Sequence, residues 1–173
     1  SLKHYGPKLA DKDLAAEING YAVQEAFHTR EHEDYNRAMV LLGYDVEKME
    51  RPIRLALNVV KNPLHKLAMT CAIEHLTATF STMTLRQPEL IAGAAPAYRR
   101  LWMWHALEEL EHKAVALDVL HAVTPNLPGW KRYFLRVAAM NATVFPFIVL
   151  LSRNVPVYAR TDGVKTGFRF WAR

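Results

Sequence analysis

Trp104-His105-Ala106-Leu107-Glu108-Glu109-Leu110-Glu111-His112 sets His105, Glu109 and His112 at i, i+4 and i+7, and residues so spaced share one face of an α-helix. Outward from this segment, apolar residues recur at helical spacing through most of the chain, whereas the alternating runs that mark strands are hard to find. The sequence therefore predicts an all-α fold. A first helix starts near Asp11 or Asp13, whose carboxylates suit a helix N-terminus, and runs to Leu42, where Gly43 supplies a left-handed stop. A shorter helix over residues 46–61 is expected to be interrupted or restarted at Pro52. Asn62 and Pro63 open the next one, which reaches about Leu85. Pro96 opens the helix that holds the quoted segment and carries it to about Val123, before Pro125, Pro128 and Gly129; a last helical stretch begins at Trp130.

Two further segments carry the same residue types. In Gln24-Glu25-Ala26-Phe27-His28-Thr29-Arg30-Glu31-His32, residues Glu25, His28 and His32 stand at i, i+3 and i+7 on one face. In Cys71-Ala72-Ile73-Glu74-His75-Leu76-Thr77-Ala78, one glutamate sits amid apolar and small residues. Two cations a few Å apart repel, and bridging carboxylates from facing helices offset that repulsion while imidazoles complete each coordination sphere. A Glu-x-x-His pair delivers both ligand types to adjacent positions. Two such pairs, Glu25 with His28 and Glu109 with His112, plus Glu74, give a di-iron or di-manganese pattern. A single pair arises often by chance on a solvated helix, but solvated glutamates and core histidines alone leave several costly polar groups on inward stripes unexplained. The expected ligands are Glu25, His28, Glu74, His105, Glu109 and His112, with His105 chosen over a hydrogen-bonding role. Glu25 and Glu109 or Glu74 would bridge, and the histidines would be terminal. His32 and His75 are read as orienting groups, and Glu108, four residues before His112, as an alternative to Glu109. The cofactor expected is two metal ions, iron before manganese.

The chain has 173 residues, about half apolar (51%), enough for one compact core. Its single cysteine, Cys71, excludes an internal disulfide framework and a cysteine-based zinc site and fits a reducing, cytoplasmic setting. No Gly-rich phosphate loop, nucleophile elbow or His-Glu-x-x-His signature occurs, which sets aside ordinary nucleotide-binding and serine-hydrolase readings. The net charge of +5 is a property of the tail: residues 125–173 hold Lys131, Arg132, Arg136, Arg153, Arg160, Lys165, Arg169 and Arg173 against one acid, Asp162. With aromatic residues beside it, such a tail points toward anionic lipid rather than nucleic acid, or it is a solvated basic face. Residues 137–152 have no charge but fall short of the ~20 that a spanning helix needs. Core or interface packing is expected of them, with surface attachment to a membrane as the alternative. The division expected is a metal-binding helical bundle over 1–130 and a basic, partly apolar helical extension over 131–173 packed on the same domain.

Residues Gln24 to His28, Glu74 to Ala78 and Trp104 to Asp118 resemble the bacterial predicted metal-dependent hydrolases, over most of residues 1–130. That family is similar in turn to ferritin-like di-iron proteins, and the spacing of His105, Glu109 and His112 resembles a ligand helix of para-aminobenzoate N-oxygenases. The resemblance implies a ferritin-like helical bundle and a metal enzyme acting on a small-molecule substrate, by hydrolysis on the family's name or by di-iron oxidation on the ligand pattern. The family's pattern includes an earlier helix with a glutamate in a Pro-x-Gly-Glu context, absent before Ser1. The expectation is therefore a shortened chain lacking its first helix, with Glu17 a poor substitute. Asp118 is read as a further orienting group. The rival expectation is a non-catalytic scaffold that docks on a membrane or partner through the basic C-terminal segment; a homodimer burying the tail helix is also expected.

Overall fold

Asp11, Asp45 and Asn62 each start a helix by the same device, a side-chain oxygen accepting from backbone N–H groups that the first turn leaves unpaired. Asp11 Oδ1 accepts from Asp13 N and Leu14 N at 2.9 and 3.1 Å. Asp45 Oδ1 accepts from Lys48 N at 3.1 Å, and Asn62 Oδ1 from Leu64 N and His65 N at 2.8 and 3.3 Å. In the computed structural model, which describes residues 2–167, the resulting helices are α1 (Lys12–Leu41), α2 (Val46–Val59), α3 (Pro63–Arg86), α4 (Pro96–His112), α5 (Val115–Val123) and α6 (Gly129–Thr161). Short 3-10 turns occupy Leu2–His4, Gly6–Lys8 and Pro88–Ile91, and no strand occurs among the described residues. The fold is all-α. Arg169 and Arg173 of the basic tail lie outside the described residues.

Gly43, at φ 91°, ends α1 as its residue type requires, with Tyr44 N reaching back to Met39 O at 3.1 Å. Two expectations are corrected. Pro52 does not interrupt α2; the helix continues through it to Val59, tolerating one missing backbone hydrogen bond. The helix expected from Pro96 to Val123 is divided at Lys113 and Ala114, yet both keep right-handed helical dihedrals, so the division is a loosened turn and not a reversal.

The described residues form two compact units. The first takes those up to His28 and Lys61–Thr143; the second takes Thr29–Val60 and those from Val144 on. In the first, α3 packs along α4 and α5, and Leu2, Leu14, Ile18, Leu67, Ala116, Val119 and Leu120 form the core. Ala68 and Ala72 of α3 meet Ala139 of α6 in a smaller cluster, where short side chains allow close approach. In the second unit Val46 and Met49 are buried, Asn36 Nδ2 donates to Glu50 Oε1 at 2.5 Å, and Tyr44 hydrogen-bonds Asp162 while its ring stands 5.3 Å from that of Tyr158.

α6 is one continuous helix through Pro146 and Pro156. Of the core or interface packing expected for residues 137–152, packing in this chain's own core is confined to Ala139, which alone among them is buried.

Candidate metal centre

α4 turns three of its four chemistry-bearing side chains fully inward. Glu108 and Glu109 are each 5% exposed and His112 is 1% exposed, while His105 is half-buried one turn earlier. Successive helical residues differ by 100°, so Glu108 and Glu109 straddle one inward arc, and both face His28 of α1: Nδ1 lies 3.5 Å from Glu108 Oε2 and 3.7 Å from Glu109 Oε1. His105 Nε2 lies 3.7 Å from the same Glu109 oxygen. The rings of His28 and His105 meet edge to face, centroids 4.5 Å apart, with ring nitrogens within 4.8 Å of one another. Glu25 Oε1 is 4.0 Å from His28 Nδ1 and 3.1 Å from His112 Nδ1.

α3 contributes Glu74, also 5% exposed, whose Oε1 accepts from the Tyr21 hydroxyl at 2.7 Å. Five expected ligands, Glu25, His28, His105, Glu109 and His112, are thus linked in one chain of contacts of 4.0 Å or less. Glu74 joins them through the fields of Glu109, Glu25 and His112, and Glu108 is buried alongside Glu109. His32 is half-buried one helical turn beyond His28 on α1, in the second unit. His75 stays apart: it is exposed and lines a separate cleft with Cys71, Lys113 and Arg136. Asp118 and Glu17 are exposed.

Two residues that the ligand search passed over orient the centre. Gln24 Nε2 donates to Glu111 Oε2 at 2.9 Å, which turns Gln24 Oε1 toward His112 Nε2, also at 2.9 Å. An amide oxygen only accepts, so the hydrogen sits on His112 Nε2. A neutral His112 then presents the Nδ1 lone pair to the Glu25 carboxylate, an arrangement that calls for a proton or a cation between them. Tyr21 completes the frame, its ring 4.7 Å from that of His112. The available signal was spacing, since Tyr21 precedes Glu25 by one turn and Gln24 precedes His28 by one turn.

Electrostatics follow from crowding carboxylates away from water. Burial pushes Glu74 up to about 7, with Glu109 and Glu25 adding to it against the Tyr21 hydrogen bond. Burial likewise pushes Glu108 up to about 7, opposed by His112. Burial works to raise Glu25 too, but the hydrogen bond to His112 and the fields of His28 and His112 leave it below the ordinary carboxylate range. For His112, burial favours the neutral ring and is outweighed by Glu25, so its pKa is raised.

Glu74 Oε2 and Glu108 Oε2 are buried without an aligned hydrogen-bond partner. Buried acceptors in that state are costly, and a cation satisfies several at once. Four carboxylates and three imidazoles, with Gln24 holding the far nitrogen of one ring, form the donor set and outer support that hard-to-borderline divalent cations use. The residues present fit a metal centre.

Comparison with known proteins agrees. The family model described as "Predicted metal-dependent hydrolase" matches residues 1–173, and the chain belongs to that family. No curated protein and no solved structure gives a significant match.

Proposed function

We propose that this member of the predicted metal-dependent hydrolases is a dinuclear enzyme whose cations are held by Glu25, His28, Glu74, His105, Glu109 and His112, with Glu108 as a seventh donor. The observation that carries the reading is the pair of buried carboxylate oxygens without donors, Glu74 Oε2 and Glu108 Oε2, beside three imidazoles. Two bound cations would supply Lewis acidity, activating water and polarising the carbonyl or phosphoryl oxygen of a small substrate. The chain's own groups do the rest. Gln24 fixes the His112 tautomer through its bond to Nε2, and Tyr21 keeps one Glu74 oxygen hydrogen-bonded, leaving the other directed elsewhere. Glu74 and Glu108, raised by burial to about 7 in the metal-free chain, would give up their protons as the cations bind.

The test is elemental analysis of the purified chain, followed by hydrolysis assays of the metal-loaded protein on activated esters and phosphoesters. About two iron or manganese ions per chain and turnover lost on chelation are expected. Absence of metal after reconstitution would overturn the reading.

One feature favours a second, oxidative reading. A Glu-x-x-His pair on each of two helices and a single glutamate from a third follow the ligand layout of ferritin-like di-iron oxygen chemistry, as in the para-aminobenzoate N-oxygenases. Dioxygen uptake by the reduced iron form with candidate substrates separates the two: uptake with an oxidised product favours oxygenation, and its absence leaves hydrolysis.

A further inference from the structure

α6 carries Lys131, Arg132, Arg136, Arg153 and Arg160 and no acidic residue, and the sixteen positions between Arg136 and Arg153 carry no charge. It is long and apolar enough to cross a membrane, yet only 6% of its most apolar window is buried. A core helix of comparable composition would be mostly buried, and an export signal would sit at the chain's beginning; α6 is neither. Its apolar residues are also ordered around the axis. Trp130, Phe134, Val137, Phe145 and Ile148 fall at i, i+4, i+7, i+15 and i+18, one stripe of a 3.6-residue helix. They are 63%, 60%, 37%, 74% and 53% exposed. Ala139, on the opposite side, is taken up by Ala68 and Ala72 of α3. Trp130, Phe134 and Val137 therefore lie on the face turned away from α3.

We propose that α6 docks on an anionic lipid bilayer, lying in the interface with this stripe in the outer hydrocarbon and Lys131, Arg153 and Arg160 among the headgroups. Charge decides among occupants. Lys131, Arg153 and Arg160 lie to one flank of the uncharged apolar stripe, with no acidic residue on the helix, and complement a surface of lipid phosphates. Asn141, the polar side chain within the stripe, is satisfied internally, its Nδ2 donating to Val137 O at 2.8 Å. Trp130 and Tyr133 have the amphipathic rings that settle at headgroup depth, and the long stems of Lys131 and Arg153 let their charged groups reach the same level. Insertion across the bilayer is disfavoured because residues 137–152 span about 24 Å and one side of the helix is already packed on protein.

The experiment is co-flotation of the full chain with phosphatidylcholine vesicles, with and without about 30% phosphatidylglycerol, for wild type and the double variant Phe145→Asp, Ile148→Asp. Wild type is expected to float with the anionic vesicles and much less with the neutral ones, and the double variant to lose at least tenfold of that binding. Circular dichroism and metal content check that the variant is folded; because both side chains are exposed, both readouts should match wild type. Wild type that fails to float, or a folded variant that floats equally well, would overturn the proposal. So would a wild-type dimer in solution that the double variant dissociates, since the stripe would then belong to a second copy.

Discussion

α4 and α6 break the ordinary rule of burial in opposite directions. α4 hides Glu108, Glu109 and His112, groups that other proteins leave in water unless paired, while α6 leaves Trp130, Phe145 and Ile148 in water, groups that other proteins hide. Each inversion costs stability in the isolated chain, and under the two proposals each would be removed by something outside the chain, a cation in one case and a membrane in the other. The two proposals differ as the two helices do: convergent lone pairs suit a positive charge, and an exposed apolar stripe suits hydrocarbon.

The comparison breaks most sharply at α4. Glu109→Ala removes the carboxylate that both His28 and His105 approach, at 3.7 Å each, and is expected to reduce bound metal from about two ions to one or none, read by elemental analysis. Glu108→Leu sharpens the same point. It deletes a buried acceptor with no donor, so the metal-free protein should gain about 1–3 kcal/mol, several degrees in Tm by calorimetry, while losing much of the stabilisation that added metal gives. A metal-free variant that melts earlier would show that Glu108 is held by the protein alone.

The acid–base prediction comes next. Glu74 and Glu108 have folded pKa values raised to about 7 above the ordinary carboxylate value. The folded state therefore holds extra protons, and their contribution to stability is complete below the unfolded value and lost as pH rises through about 7. In chelator, Tm should fall between pH 5 and pH 8 by roughly 2–4 °C per kcal/mol lost. In manganese the slope from these groups should reverse, because cations bind the deprotonated form. Identical slopes in the two conditions would remove Glu74 and Glu108 from the ligand set. The smallest effect belongs to α6: Phe145→Asp should change stability by no more than about 0.5 kcal/mol, while Ala139→Leu, against Ala68 and Ala72, should cost about 1–3 kcal/mol, both read by urea denaturation.

How much of this was legible in the sequence depended on whether the deciding interaction is local. The starts of α1 and α3 and the stop at Gly43 were readable because Asp11, Asn62, Pro63 and Gly43 act within one turn. The continuity of α2 through Pro52 and the loosened turn after His112 were not, since packing and not propensity settles whether a helix survives one missing bond. Spacing selected Glu109 over Glu108, yet the structure buries both, because neighbouring residues can flank one inward arc. Tyr21 and Gln24 escaped notice for a different reason: neither is a ligand type, and what they do is orient groups 53 and 88 residues away. The basic, apolar character of α6 was plain from composition. Which side of it would be left uncovered depends on where Ala139 finds α3.

The Gln24 amide has one last consequence. Its nitrogen is engaged by Glu111 at the protein surface and its oxygen by His112, 1% exposed. A rigid amide cannot turn one end without turning the other. An outer carboxylate is therefore linked to a sequestered ring through a single side chain, two hydrogen bonds in series from the surface to the centre.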